Sequence, residues 1–323
     1  MKKLVYGVLA IAAIGMFAAC QKDGKYNPKE KIANVYEEEL FISSSNYGGQ
    51  TYSDTNQTPK RLTERWTWDG KKLTQIVYVY YTQEWNGTSY TETPVEETVK
   101  FTYDGDQLSE ANDGDERIVF TYDGKKLQKA EVYEDNQTTP YETLVFDYDG
   151  KKISKITATA TSTVSFDKSQ PALGRMERLL LSNMLPDMKP VEKVFAKARK
   201  SGAKETSTST IEFTWDGDNV SKMVVKEGSY TTSATYTYDD KKNPYQGFLY
   251  VIPDMMEDGP TFTNENNVVK AVYQYSAFDE GSSETNYTYT YDGKWPTSRT
   301  AVNSNTYDDY SYYERTTKYF EYK

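Results

Sequence analysis

The sequence predicts an all-β protein, an antiparallel up-and-down meander of repeated hairpins that curls into a soluble barrel-like sheet, with a short two-helix insertion. Three observations lead to this fold class: a repeated strand-and-turn phrase, aromatic residues at a period of two within each copy, and one break in composition. The phrase is clearest at residues 118–127, which read Ile-Val-Phe-Thr-Tyr-Asp-Gly-Lys-Lys-Leu.

Each copy of the phrase ends in an aromatic-Asp pair, and Gly follows six of the seven pairs. The pairs are Trp68-Asp69, Tyr103-Asp104, Tyr122-Asp123, Tyr148-Asp149, Trp215-Asp216, Tyr238-Asp239 and Tyr291-Asp292. Another aromatic residue stands two positions before each pair, so both rings of a copy lie on one face of a strand, which we expect to be the core face. Gly then supplies the positive φ of a hairpin turn, and Asp tolerates the same region.

The return strand of each hairpin has an apolar residue five positions after the aromatic residue and another three positions later, as at Leu127 and Ala130. Because three is odd, this spacing predicts a β-bulge or wide turn at the start of the return strand. Pro244 and Pro296 follow the copies at Tyr238 and Tyr291, so those return strands are predicted to be edges, irregular or absent. Seven hairpins and the chain ends give roughly fourteen to sixteen strands, enough for a sheet to curl or close.

Two segments depart from the repeat. Residues 171–200 carry apolar side chains at helical spacing around Met176 and Leu180, and we predict two short amphipathic helices there. Residues 244–260 form an irregular apolar stretch that includes Phe248 and Met255. Methionine fills irregular gaps, so we expect the two segments to meet. A first strand is predicted at 35–42, followed by a long polar surface loop at 43–59.

The first residues have the pattern of an export signal. Lys2 and Lys3 precede an apolar run that is shorter than the ~20 residues needed to span a bilayer as a helix. We therefore divide the chain into a signal peptide at 1–19, a polar tether at 20–33 and a single β-repeat domain at 34–323 with the helical insertion inside it.

Two resemblances support this division. Phe17-Ala18-Ala19-Cys20 resembles the lipobox of bacterial lipoproteins, which implies that Cys20, the sole cysteine, carries the lipid anchor. The aromatic-Asp-Gly-Lys-Lys phrase resembles the YD repeats of bacterial surface proteins. Together they make the chain similar to uncharacterised Bacteroidota lipoproteins with a porin-like, barrel-shaped domain. This resemblance implies a lipid-anchored protein of the outer membrane, on its cell-surface or periplasmic side, and no activity.

The chemistry of the chain favours binding over catalysis. The sequence has no His, which removes the commonest general base and zinc ligand. We therefore expect no enzymatic activity, no cofactor and no metal. The net charge of −10 argues against nucleic acid as a partner. Transmembrane strands need a continuous apolar outer band, which the Thr, Lys, Gln and Glu opposite the aromatic residues do not provide. We expect a monomer outside the bilayer.

Three roles remain open at this point. In the first, a pocket lined by Met176, Leu180, Phe248 and Met255 holds a lipid or another hydrophobic ligand; the competing interpretation is that these residues fill the barrel as core. In the second, aromatic residues bind glycans at Trp85 or at the cluster of Tyr310, Tyr312 and Tyr313. In the third, the polar surface meets another envelope protein.

Overall fold

The computed structural model describes residues 25–47, 50–85, 90–134, 136–162, 205–228, 230–249, 263–275, 281–307 and 310–323. Within these ranges the chain forms sixteen antiparallel strands, each paired with its neighbours in sequence, and β1 pairs with β16 to close a barrel. The strands are β1 Ile32–Tyr47, β2 Gln50–Asp69, β3 Lys72–Trp85, β4 Tyr90–Asp104, β5 Gln107–Asn112, β6 Glu116–Asp123, β7 Lys126–Glu134, β8 Glu142–Asp149, β9 Lys152–Ser162, β10 Glu205–Asp216, β11 Asn219–Glu227, β12 Tyr230–Tyr238, β13 Val268–Tyr275, β14 Gly281–Asp292, β15 Trp295–Tyr307 and β16 Tyr310–Tyr322. The predicted all-β meander is confirmed, and the barrel is closed.

The two ends of the barrel differ. The turn end carries the tight turns of the repeated phrase, the longer connection between β12 and β13, the start of β1 and the end of β16. The far end carries the other connections, and its rim is uneven because strand length varies from 6 residues in β5 to 20 in β2. β2 pairs with β3 only from Glu64 to Asp69, so its far half pairs with β1 alone among the described residues.

The tight turns depend on the positive φ of Gly, and Asp has a smaller role in them than predicted. Asp123 still pairs with Lys126 in the ladder, so the loop is the two residues Gly124 and Lys125. Gly124 has a φ of 58°, whereas Asp123 is not among the residues with positive φ. Glycine at the first loop position is the pattern of a type II′ turn, whose twist suits a hairpin.

The predicted bulges are present. The register of the hairpin ladders shifts immediately before the second aromatic residue, between Thr67 and Trp68 and at the matching place in the other copies. The prediction for the return strand after Tyr291 is wrong: β15 is a full strand, and Pro296 sits at its bulged start, where no regular ladder bond is lost. After Tyr238 no return strand follows directly, as predicted, and β13 begins only at Val268.

The first aromatic residue of each copy points into the barrel. Phe101, Phe120, Phe146 and Phe213 are between 5% and 8% exposed and belong to one core cluster that draws on the whole wall. The cluster also contains Tyr26, Phe248 and Leu249, which are not wall residues. Side chains from the N-terminal segment and from the connection between β12 and β13 thus fill the barrel at its turn end.

Several boundaries differ from the sequence predictions. The polar tether was extended too far, because Tyr26 and Ile32 are buried at 4% and 0% exposure. The surface loop at 43–59 is wrong: those polar residues lie in the long hairpin of β1 and β2, whose Ser and Thr side chains are compatible with exposed strands. The helical insertion at 171–200 lies outside the described residues, as do the signal peptide and Cys20.

The outer face of the barrel is polar. Ion pairs project from it between β2 and β14, with N–O distances between 2.7 and 4.0 Å. Five join different strands, namely Arg65–Glu96, Arg117–Glu110, Lys155–Asp147, Lys226–Glu212 and Lys270–Glu284, and Lys129–Glu131 lies within β7. A wall that faces lipid carries an apolar band at this place. The outer face of the described strands instead carries many charged side chains.

Candidate functional site

The turn end is held together by the second aromatic residue of six of the seven copies and by Tyr322. Each of these rings donates one hydrogen bond to the backbone carbonyl of the apolar residue at the preceding bulge, over 2.6 to 2.9 Å. The pairs are Trp68 to Ile32, Tyr103 to Leu73, Tyr122 to Leu108, Tyr148 to Leu127, Trp215 to Ile153, Tyr238 to Val220 and Tyr322 to Pro296. The bulge leaves that carbonyl outside the ladder, and the phenol or indole satisfies it. In the remaining copy Tyr291 donates instead to the carboxylate of Asp239.

Lysine side chains add a second set of links at the same end. Lys72, from the turn of one hairpin, lies with Nζ 5.4 Å from the Tyr103 ring of the next and donates to the carbonyl of Gly105 over 2.6 Å. Lys31 and Lys152 make the same pair of contacts with their neighbouring hairpins. The Lys of the repeat is thus a structural residue that joins adjacent turns.

The predicted hydrophobic pocket is not found at Phe248. Its side chain is 2% exposed, and its ring centroid lies 5.0 Å from those of Tyr26 and Trp66. The Tyr26 hydroxyl donates to the carbonyl of Pro244 over 2.7 Å, which fixes the N-terminal segment against the 244–249 segment. Phe248 therefore fills the barrel as core. Met176, Leu180 and Met255 lie outside the described residues.

A different group of side chains lines the inner wall nearer the far end. We define the inner strip as Glu37, Glu39 and Phe41 of β1, Tyr312, Glu314 and Lys318 of β16, and Arg299 of β15. Regular ladders connect these strands, with Phe41 opposite Glu314, Glu37 opposite Lys318, and Arg299 opposite Lys318. All share the face of the buried Val35 and Phe320, because side chains at a spacing of two residues point the same way.

The part of the inner strip nearest the far end is aromatic and accessible to solvent. Phe41 and Tyr312 stack, with ring centroids 6.3 Å apart and an interplanar angle of 20°. Tyr312 is buried, whereas Phe41 is 36% exposed and is among the most exposed large apolar side chains of the described residues. An apolar ring held by a buried partner and left open to solvent is a ready contact surface.

Carboxyl groups flank this ring. Burial raises the pKa of Glu39, and the adjacent carboxyl of Glu37 raises it further by charge and by a hydrogen bond; Arg61 acts in the opposite direction, and Glu314 adds a smaller increase. Glu37 is also 3.7 Å from the Nζ of Lys318. Acceptors and donors therefore stand side by side on the strip.

The part of the inner strip nearest the turn end borders a cleft of ≈ 370 Å³, and part of this volume is open solvent. Arg299 lines it with its guanidinium 5.5 Å from the Tyr287 ring. The other lining residues are Asn243, Pro244, Tyr245, Asn266, Asn267, Val268, Tyr289, Pro296 and Phe320. The cleft is thus lined by amides, phenols and one guanidinium. Polar and aromatic groups therefore occur together from the inner strip to the filled turn end.

Most of the residues predicted to bind glycans fall elsewhere. Trp85 ends β3 and Tyr310 begins β16, but the orientation of their side chains lies outside what the structure describes. Tyr313 pairs with Ile42 on the outer face, opposite in direction to Phe41 and Tyr312. The predicted cluster on β16 thus shares Tyr312 with the inner strip but does not include the residues of β1 and β15. The alternation of Glu37, Glu39 and Phe41 within one predicted strand was the signal that could have located the β1 part of the strip.

Neither a metal site nor a spanning helix occurs in the described part of the chain. No group of three or more Asp, Glu or Cys residues there is placed to hold a metal ion. No helix in the described ranges is long and apolar enough to cross a membrane. At the turn 112–116, Asp113 accepts from the backbone N–H groups of Asp115 and Glu116, so its carboxylate serves the turn.

Comparisons with solved structures return several matches, and two of them are from Bacteroides. A porin-like protein from Bacteroides uniformis is 13% identical, with a TM-score of 0.48, over 88% of this chain and 97% of that chain. A porin-like protein from Bacteroides vulgatus is 10% identical, with a TM-score of 0.39, over 91% of this chain and 99% of that chain. The chain matches no family model and no curated protein.

Proposed function

We propose that this protein is a non-catalytic lipoprotein of the outer membrane, anchored through Cys20, whose barrel binds a polyhydroxylated ligand such as a glycan on the inner strip. The observation that carries the binding role is the exposed Phe41 ring on the inner wall, stacked on Tyr312 and flanked by Glu39 and Glu314.

The chemistry of the strip fits a sugar better than a lipid. A sugar ring offers an apolar face for stacking and hydroxyl groups that both donate and accept. Phe41 supplies the stacking surface, the carboxylates accept, and Lys318 and Arg299 donate. A hydrophobic ligand would take these charged groups out of water and offer them no hydrogen bond, which is costly. Phe248, the residue that would have suited a lipid pocket, is already used by the core.

A matched pair of variants on one strand tests the binding role. Phe41 and Ile42 are adjacent, are 36% and 37% exposed, and point to opposite faces of the wall. An array of soluble neutral and acidic oligosaccharides, followed by calorimetry with those that bind, measures the affinity. We expect Phe41→Ala to weaken binding about tenfold, equal to roughly 1.4 kcal/mol, and Ile42→Ala to leave it unchanged.

Two outcomes contradict the proposal. Binding that is lost in Ile42→Ala or Tyr313→Ala but kept in Phe41→Ala would move the site to the outer face. An array on which the wild-type protein binds nothing would remove the glycan role.

The anchor has its own test. The protein is expressed in a bacterium that is fed an alkyne fatty acid, and the label on the protein is measured. We expect wild-type protein to be labelled and to sediment with the outer membrane, and Cys20→Ala to lose both properties. An unlabelled wild-type protein would contradict the anchor.

A further inference from the structure

We infer that the turn end is the face held against the bilayer surface, so that the inner strip at the far half of the barrel opens away from the membrane. This inference rests on the proposed anchor at Cys20. It adds an interaction surface, the ring of tight turns, and one partner for it, the head-group layer of the membrane.

The first step concerns where the N-terminal segment joins the barrel. Lys25 lies at the turn end, where its Nζ is 3.4 Å from Asp106 in the turn between β4 and β5. Tyr26 then enters the mouth of the barrel, and its ring packs on Trp68 with centroids 5.5 Å apart. Lys31 bonds to the turn at Gly70. The segment is therefore fixed to the turn end from its first described residues onward.

The second step concerns reach. Four residues, 21–24, separate Cys20 from Lys25. Five Cα–Cα steps of at most ~3.6 Å each span about 18 Å, so an acylated Cys20 keeps the turn end within that distance of the head groups. β1 alone is 16 residues long. At ~3.3 Å per residue and a tilt near 40°, the far end stands about 40 Å from the turn end.

The third step concerns charge. The turn tips alternate exposed Asp and Lys, as at Asp123 and Lys125 or Asp149 and Lys151. Such a rim has no strong attraction for anionic lipid and no strong repulsion from it. The tether therefore sets the orientation. A barrel lying on its side would bring the ion pairs of the described outer wall against the membrane, which disfavours that orientation.

Single cysteines introduced at the two ends test the orientation in the full acylated protein, where Cys20 is blocked by its lipid. Lys125→Cys places a fluorophore at a turn tip and Asp54→Cys places one on exposed β2 near the far end. The proteins are inserted into phosphatidylcholine vesicles that contain a lipid with a nitroxide on its head group. We expect quenching at position 125 to exceed that at position 54 by at least about threefold, unchanged when salt is raised.

Equal quenching at both positions would mean that the barrel lies on its side, and stronger quenching at position 54 would mean that it is inverted; either overturns the inference. If the difference in quenching disappeared at high salt, charge attraction rather than the tether would set the orientation, and this result too would overturn the inference. Failure of the anchor is a separate result, because the protein would then not stay on the vesicles at all.

Discussion

The turn end and the far end of the barrel are made by the same strands, yet they differ in regularity. At the turn end, most hairpins repeat one set of contacts: a buried first ring and a second ring bonded to the preceding bulge, with a Lys or Gln in several of them that reaches the next turn. At the far end, strand lengths and side chains differ from hairpin to hairpin. The repeated phrase thus specifies the closed, filled end, and the variable residues are free to carry recognition.

The largest expected effect breaks the filling of the turn end. Phe248→Ala removes a ring that contacts Tyr26, Trp66 and Phe101 inside the barrel, and should cost about 3–5 kcal/mol of unfolding free energy. Tyr52→Ala, at a site that is 56% exposed near the far end, should change it by less than about 0.5 kcal/mol. Urea unfolding measures both. Similar losses in the two variants would contradict the contrast between the ends.

A smaller effect comes from one ring-to-bulge hydrogen bond. Tyr122→Phe removes the 2.7 Å bond to the carbonyl of Leu108 with little change in packing, and should cost about 1 kcal/mol. Tyr52→Phe removes an exposed bond to Gln50 and should cost almost nothing. If Tyr122→Phe were also neutral in urea unfolding, the repeated bond would not stabilise the turn end.

Alkaline pH should weaken the turn end specifically. Burial raises the pKa of Tyr103 from its ordinary value of 10 to about 12. The folded state therefore favours the protonated phenol. The stabilisation of the fold by this phenol is fully present below pH 10 and is lost as the pH rises to about 12. In urea unfolding, Tyr103→Phe should lose less stability than wild type over that interval. An identical decline in both proteins would exclude Tyr103 as a cause.

The smallest effect is expected at the inner strip. The pKa of Glu39 is raised above its ordinary value of about 4.5. The stabilisation of the fold by the protonated carboxyl is therefore present below about pH 4.5 and is lost as the pH rises above that value. Because this carboxyl is only about half buried, solvent screening should keep the effect below about 1 kcal/mol. Glu39→Gln should therefore be slightly more stable than wild type at neutral pH. A destabilised Glu39→Gln would show that the charge supports the fold.

This contrast also explains what the sequence could predict. Periodic aromatic residues, Asp-Gly turns and odd spacing are local signals, and they were enough for the meander, the bulges and the buried column at Phe101, Phe120, Phe146 and Phe213. The partner of most second rings is a carbonyl on another hairpin, so no local pattern showed it. The packing of Tyr26 against Phe248 joins positions 222 residues apart and was equally invisible.

The candidate site was missed for a related reason. The inner strip combines β1 with β15 and β16, which become neighbours only when the barrel closes. Phe41 and Tyr312 are 271 residues apart in sequence, and the alternation of Glu37, Glu39 and Phe41 marks only the β1 half of the strip. Sequence reasoning named Tyr312 within the Tyr310–Tyr313 cluster but did not pair it with Phe41.

Hydrogen exchange along β2 tests the central contrast most directly, because this one strand runs from the far end at Gln50 to the turn end at Asp69. We expect amides near Trp66 to exchange at least about a hundredfold more slowly than those near Tyr52, since opening a filled, cross-bonded end costs more free energy than fraying a polar hairpin. Uniform protection along β2, or slower exchange near Tyr52, would contradict the account.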